Sequence, residues 1–153
     1  MKIVKPIIFI LLFLMSSCGY KVLNNLESYN FRITEFKLTG EKKINKILEK
    51  NFQRFSENSA QGNDIKIEAN TKFMTSVVSK NNAGEPVGYE MIITVQINIF
   101  KNDNLLSNIT FSKNTSYDNL NSKFELKQYE NILIKDLTEQ IVLQINNHIN
   151  SIT

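Results

Sequence analysis

The stretch from Val87 to Phe100 is the sequence feature that most constrains the fold. Strict alternation of apolar and polar residues over such a length indicates a β-strand with one buried face. At roughly 3.3 Å per residue this strand would be about 45 Å long, so the rest of the chain has to cover a long apolar surface. The apolar positions are Tyr89, Met91, Ile93, Val95, Ile97 and Ile99.

Two more strands are predicted, one on either side of this stretch along the chain. Asp64 to Lys80 alternates in the same way, and Leu105 to Tyr117 returns as the third strand. The connections, 81–86 and 102–104, are rich in residue types that favour tight turns. Because consecutive strands joined by short turns pair antiparallel, these three segments predict a meander.

Two helices and one further strand complete the pattern. Tyr29 to Leu38 alternates with a change of phase that predicts a β-bulge near Thr34. Glu41 to about Asn58 has apolar residues at helical spacing on one face. Lys123 to Ile149 carries a longer apolar stripe of the same kind and opens with a capping box, in which Ser122 precedes a glutamate by three positions.

These segments predict an α+β fold with the order β-α-β-β-β-α. Each helix has one apolar face, and the sheet offers one consistent apolar face. A two-layer sandwich satisfies all three, with a four-stranded, largely antiparallel sheet and both helices on one of its faces. The other face of the sheet would be polar and uncovered, with Lys66, Asn70, Lys72, Ser76, Thr94, Gln96 and Asn98.

The sequence offers little catalytic chemistry. It holds one histidine and one cysteine, whereas metal sites usually need several His, Cys or carboxylate ligands. No nucleophile elbow or Gly-rich phosphate loop is present. We interpret His148, near the end of the last helix, as a surface residue whose charged form interacts favourably with the helix dipole. We therefore predict a non-enzymatic protein without a metal or cofactor.

The first residues are typical of an exported protein. Lys2 and Lys5 precede an apolar run from Ile7 to Met15, and Ser16-Ser17 leads into Cys18. A basic start, a short apolar run and small residues at a cleavage site mark a secretory signal peptide. The tetrapeptide Met-Ser-Ser-Cys resembles the lipobox of bacterial lipoproteins, which implies cleavage before Cys18 and lipid attachment to it. The alternative is an unmodified thiol in a plain signal peptide or an uncleaved anchor.

These features divide the chain into a signal peptide (1–17), a lipidated connector (18–28) and a single α+β domain (29–153). Gly19 in place of aspartate implies sorting to the outer membrane in lipoproteins of this kind. The 18 Lys and Arg residues exceed the 15 Asp and Glu residues by three, and two of the lysines lie in the signal, so the mature net charge is +1. That balance does not indicate attraction to nucleic acid.

The first helix carries a basic stripe opposite its apolar face, formed by Lys43, Lys46, Lys50 and Arg54. Its simplest interpretation is a solvated helix face. Its functional interpretation is a patch that faces phosphate groups, because Lys and Arg pair with clustered anionic oxygens.

The order of these features resembles the LPS-assembly lipoprotein family (LptE-like). Several short segments carry the resemblance across the mature chain: Cys18-Gly19-Tyr20 with Leu23, Val77 to Lys80, Gly88-Tyr89, Tyr117, Tyr129-Glu130, and Leu137 to Ile141.

The resemblance implies the same two-helix, four-strand sandwich and a function that periodicity cannot show. Members of the family plug the outer-membrane β-barrel that exports lipopolysaccharide (LptD-like) and help that barrel to assemble. They are also thought to contact lipopolysaccharide through basic residues at one end of the domain. Here the resemblance points to Lys80 in the hairpin region, and then to Lys123 and Lys127 at the start of the last helix.

An alternative function remains open at this point. The chain is then another non-enzymatic envelope lipoprotein, a binding accessory in barrel insertion or peptidoglycan synthesis. In either case the expected location is the outer membrane, where the lipid holds a domain that faces the periplasm or lies inside the barrel lumen.

Overall fold

The computed structural model describes residues 31–57 and 63–153 and has the element order β-α-β-β-β-α. The predicted α+β class and element order are confirmed. Predictions that fall on residues 1–30 and 58–62 lie outside the described residues. The strands are β1 (Phe31–Gly40), β2 (Asn63–Lys80), β3 (Pro86–Lys101) and β4 (Asn104–Asp118), and the helices are α1 (Lys42–Glu57) and α2 (Lys123–Ile152).

The four strands form one sheet in the order β1-β2-β3-β4. The two hairpins pair antiparallel, as predicted, and the second is closed by Asn102 and Asp103, whose φ angles are 50° and 62°. Two successive residues in the left-handed region match the twist of a two-residue hairpin. β1 pairs with β2 in parallel because α1 carries the chain back between them. The register shift between Ile33 and Glu35 confirms the predicted bulge.

The strands β1 and β2 differ in length, which leaves part of β2 without a partner on one side. Phe31 pairs with Asn63 and Gly40, the last residue of β1, pairs with Thr71. β2 continues to Lys80 and, within the described part of the chain, is paired over that distance with β3 alone. The two hairpin strands therefore project beyond the end of β1.

The core lies between the sheet and the two helices. Alternate residues of β3 are fully buried, and α1 and α2 pack on them through their apolar faces. On the opposite face of the sheet the predicted polar residues are exposed or half-buried, and Met74 is an exposed apolar residue among them. The largest fully buried side chains are Phe31, Phe52, Ile33, Ile44, Leu48, Ile65, Ile67, Met91, Ile93, Ile97, Ile99 and Ile141.

The last helix, α2, runs for 30 residues from one end of the sheet to the other. Ser122 caps it, since its Oγ accepts a hydrogen bond from the backbone N–H of Glu125 at 3.3 Å, which confirms that half of the predicted capping box. At the far end the side chain of Asn63 donates to the carbonyl of Thr153 at 3.0 Å. In the part of the chain that the structure describes, no helix combines the length and apolar character of a membrane span.

The turn from β1 into α1 depends on one buried hydroxyl, that of Thr71 on β2. The backbone N–H of Glu41 donates to it at 2.8 Å. Its own proton has two acceptors within reach, the Thr39 carbonyl at 3.1 Å and the Asn45 side-chain oxygen at 2.7 Å. Gly40 has a φ of 95°, and a Cβ there would overlap the carbonyl of Thr71.

We expect Thr71→Val to destabilise the fold and Thr71→Ser to retain most of the stability. Valine keeps the shape but removes the 2.8 Å acceptor of the Glu41 N–H, which retains the Thr71 carbonyl at 3.3 Å, so we expect a loss of about 0.5–1.5 kcal/mol of unfolding free energy. Urea unfolding of the two variants beside the parent measures this difference. Equal stability of the valine and serine variants would show that the hydroxyl contributes nothing.

Candidate functional site

The tip of the first hairpin and the start of α2 form one end of the molecule, which we call the hairpin end (residues 80–87 and 119–123). Asn81 orders the hairpin loop: its side-chain oxygen accepts from the N–H groups of Ala83 at 3.0 Å and Glu85 at 2.9 Å. Its side-chain amide donates to the Glu85 carboxylate at 2.9 Å. Gly84 supplies the positive φ, 83°, that the turn requires.

A second loop is fastened to this hairpin. The backbone and side-chain N–H groups of Asn119 donate to the carbonyls of Val87 and Pro86, both at 2.9 Å. Between the two loops lies an open cavity of about 590 Å³. Its lining combines polar loop residues with apolar ones: Asn81, Glu85, Pro86, Val87, Tyr89, Asn119, Leu120, Asn121, Lys123 and Leu126.

Three tyrosines connect this cavity with the core. The ring of Tyr89 stacks on Tyr117 with centroids 5.6 Å apart, and Tyr129 meets Tyr117 edge-on at 6.2 Å. The Tyr117 hydroxyl donates to the Glu130 carboxylate at 2.8 Å. Burial and this hydrogen bond raise the pKa of Tyr117 to about 12. The residues that carried the family resemblance at these positions are therefore in contact with one another.

The structure brings two of the predicted lysines to the hairpin end. Lys123 lines the cavity, and Lys80 immediately precedes Asn81 at the end of β2. Lys127 lies on α2 one turn beyond Lys123, and all three lysines are exposed. The cavity also contains the carboxylate of Glu85, so both signs of charge are present at this end.

The basic stripe on α1 lies elsewhere. α1 begins beside Thr71 and runs back along the sheet, away from the hairpin end. Lys43 donates from its Nζ to Asn131 Oδ1 on α2 at 2.7 Å, and Arg54 borders a groove between the helices of about 350 Å³. Lys46 and Lys50 are exposed. The stripe is thus flanked by α2 at both ends and open to solvent between them.

His148 lies half-buried between α2 and β4. Its Nε2 is 2.8 Å from Ser107 Oγ, and its ring meets Phe111 edge-on with centroids 6.1 Å apart. The sequence suggested a surface position for this residue, whereas the helix continues past it to Ile152 and packs it on the edge strand. Within 31–57 and 63–153, no group of three metal-ligating side chains comes together.

Cys18 lies outside the described residues, so lipid attachment there stays a prediction.

Sequence reasoning missed the cluster of Tyr117, Tyr129 and Glu130 as a unit. Its signal was present in part, because Tyr89 and Tyr117 occupy inward positions of their strands, whereas Tyr129 lies at the exposed margin of the helix, 41% exposed. What the sequence lacked was the register that sets Tyr89 opposite Tyr117.

Neither a protein-family model nor a curated protein sequence matches the chain. Solved structures with a similar fold include uncharacterized lipoprotein B from Nitrosomonas europaea, with 13% identity, a TM-score of 0.59, and coverage of 82% of this chain and 88% of that one. Rare lipoprotein B from Shewanella oneidensis has 10% identity, a TM-score of 0.55, and coverage of 74% and 95%. A minor lipoprotein from Acinetobacter baumannii has 16% identity, a TM-score of 0.51, and coverage of 78% and 94%. At these identities the likeness shows a shared fold.

We expect Tyr117→Phe to change how stability depends on pH. The folded pKa of about 12 exceeds the ordinary value of 10.0, so the unfolded chain loses this proton first as pH rises. The resulting stability, about 1–3 kcal/mol, is present below pH 10 and is lost between pH 10 and 12. The difference in unfolding free energy between parent and variant should therefore shrink over that range. A difference that stays constant would mean that Tyr117 ionises equally in both states.

Proposed function

We propose that this protein is an outer-membrane lipoprotein that plugs the β-barrel exporter of lipopolysaccharide and assists its assembly. The observation that carries the proposal is the fold, which covers most of the chain and most of three solved bacterial proteins described as lipoproteins. The resemblance of the sequence around Cys18 to a lipobox supports the same class. Lipid at Cys18 then holds the domain at the membrane, with LptD-like barrel and lipopolysaccharide as partners.

The outer face of the sheet suits the interior of a barrel. Large outer-membrane barrels have polar lumens, and this face presents polar side chains, with Asn70 and Gln96 exposed and Asn98 half-buried. Two ion pairs at its edge, Arg32 with Asp64 and Lys66 with Asp103, add charged groups of both signs. A polar wall can hydrogen-bond to such groups, which avoids burying them without partners.

The hairpin end is the part of the domain that suits contact with lipopolysaccharide. Lys80 and Lys123 lie there with free ammonium groups, and an open cavity between the loops adjoins Lys123. Phosphate groups on lipid A pair with such groups. Glu85 reduces the positive charge of this end, so the contact depends on few residues.

The proposed activity is non-enzymatic and needs no cofactor. Ser107 and His148 form a hydrogen-bonded pair, but a nucleophile and base of this type require a third group that orients the ring. No carboxylate in the described part of the chain hydrogen-bonds to His148.

The second candidate is an accessory lipoprotein of barrel insertion or peptidoglycan synthesis, which the same fold supports.

Purification of the tagged full-length protein from detergent-solubilised outer membranes tests the proposal. We expect one large β-barrel protein to be retained in equal amounts with it. Cys18→Ala should yield a folded domain that lacks the lipid tether. Recovery of the protein alone, together with a cell-wall defect and normal surface lipopolysaccharide on depletion, would instead establish the accessory role.

Two charge-reversal variants separate the candidate contacts. We expect Lys80→Glu with Lys123→Glu to weaken lipopolysaccharide binding. Lys46→Glu with Lys50→Glu and Arg54→Glu on α1 serves as the comparison and should bind like the parent. Both should fold normally, because exposed ion pairs contribute only about 0–1 kcal/mol. If both variants bind lipopolysaccharide as tightly as the parent, the hairpin end is not the contact. Loss of binding only in the α1 variant would assign the contact to the stripe.

A further inference from the structure

The end of β1 leaves an unpaired edge on β2. Gly40 is the last residue of β1 and pairs with Thr71. Among residues 31–57 and 63–153, β2 from Lys72 onward has a partner strand only on its β3 side, so alternate backbone N–H and C=O groups on its other side have no strand partner there. Register shifts interrupt the pairing with β3 after Val77. The regular part of this unpaired edge is therefore Lys72–Val77, which we call the free edge.

An apolar cavity lies beside the free edge, where β1 stops. It has a volume of about 450 Å³ and is lined by the turn into α1 together with three apolar side chains, Ile44, Phe73 and Ile134. Phe73 belongs to the free edge itself and is half-buried. A strand that continued the line of β1 would therefore place a side chain from its inner face in this cavity.

The free edge is also apolar on its surface. Met74 is 62% exposed, and Val77 and Val78 are 44% and 53% exposed. On the other edge of the sheet, β4, the exposed apolar residues Leu105 and Leu106 lie at the start of the strand, whereas the outward residues of its middle, Thr110 and Ser112, are polar. Exposed apolar groups next to unpaired backbone favour pairing with another strand.

Charge indicates what kind of strand fits. Lys72 and Lys80 bracket the segment, which contains no carboxylate between them, and Lys42 and Lys43 line the cavity. Glu41 is the one acidic residue at the cavity. Two copies of this edge would bring lysines together, and although Glu41 and Glu90, the strand partner of Ser76, lie nearby, a second copy is less complementary in charge than an acidic segment is.

We propose that the free edge and the adjoining cavity accept an extended acidic segment of a partner protein as an added strand. The partner's backbone pairs with Lys72–Val77, one of its apolar side chains enters the cavity at Phe73, and its carboxylates lie near Lys72 and Lys80. The inference goes beyond the proposed function, because it concerns how a partner strand binds and does not depend on whether that partner is the barrel exporter.

Site-specific photo-crosslinking in cells that make the full lipoprotein tests this. A photoreactive residue replaces Met74 or Ser76 on the free edge, and Thr110 or Ser112 on β4 as the matched positions of the other edge. We expect adducts from positions 74 and 76 to one partner segment that contains acidic residues. The attachment points on that segment should be two residues apart, as strand pairing requires. Attachment points scattered over the partner would overturn the proposal, as would adducts only from β4.

Charge reversal provides the second measurement. Lys72→Glu with Lys80→Glu should lower the adduct yield at position 76 by about tenfold, because rim charges set the rate of encounter. Lys37→Glu, on the same outer face of the sheet but within paired β1, should leave the yield unchanged. Equal yields in all three proteins, or adducts to a second copy of this chain, would contradict an acidic partner.

Hydrogen exchange on the purified complex excludes an effect of the photoreactive residue. Alternate amides within Lys72–Val77 should exchange more slowly in the complex than in the free chain, and the outer amides of β4 should not change. Absence of this protection in a complex that contains the crosslinked partner would overturn strand addition. The partner's identity bears on the proposed function separately: strand pairing with a protein other than the barrel exporter would support this inference, and the proposed function is then tested by its own purification experiment.

Discussion

The rest of the structure depends on covering one long apolar face of β3. This strand has 16 residues and spans about 50 Å at roughly 3.3 Å per residue. The 30 residues of α2 span about 45 Å and nearly match it, whereas the 16 residues of α1 reach about 24 Å. α1 therefore covers, and β1 therefore extends, only one half of the sheet. The hairpin end and the free edge both arise from this difference in length.

Periodicity predicted most of the fold because each element carries its own signal. The alternation in β3, the turn residues between the hairpin strands and the capping serine of α2 all act over a few positions. The position of β1 beside β2 follows from the crossover helix, but the place where β1 stops does not. That place depends on Gly40 and on the hydroxyl of Thr71, which lies about thirty residues further along the chain.

Only part of the candidate site could be predicted from the sequence. Lys80 and Lys123 were assigned from a resemblance, and a common end follows once the antiparallel hairpins are known. The contacts among Tyr89, Tyr117 and Tyr129 required the register, which no local pattern encodes. The stripe on α1 was predicted only in part. Helical spacing correctly placed Lys46 and Lys50 on the exposed side, but it could not show that Lys43 donates a hydrogen bond to Asn131 on the neighbouring helix.

The position of the two chain ends gives the domain a direction. β1 starts beside Asn63, and the carbonyl of Thr153 accepts a hydrogen bond from that same residue. Both ends of the described domain therefore lie at the side opposite the hairpin. A membrane tether that enters through Phe31 would hold the domain by this side, with the hairpin end about 55 Å away along the 18 residues of β2. The full length of the sheet thus separates the chain ends from the hairpin end, so a segment that joins the domain at Phe31 leaves the opposite tip open to other molecules.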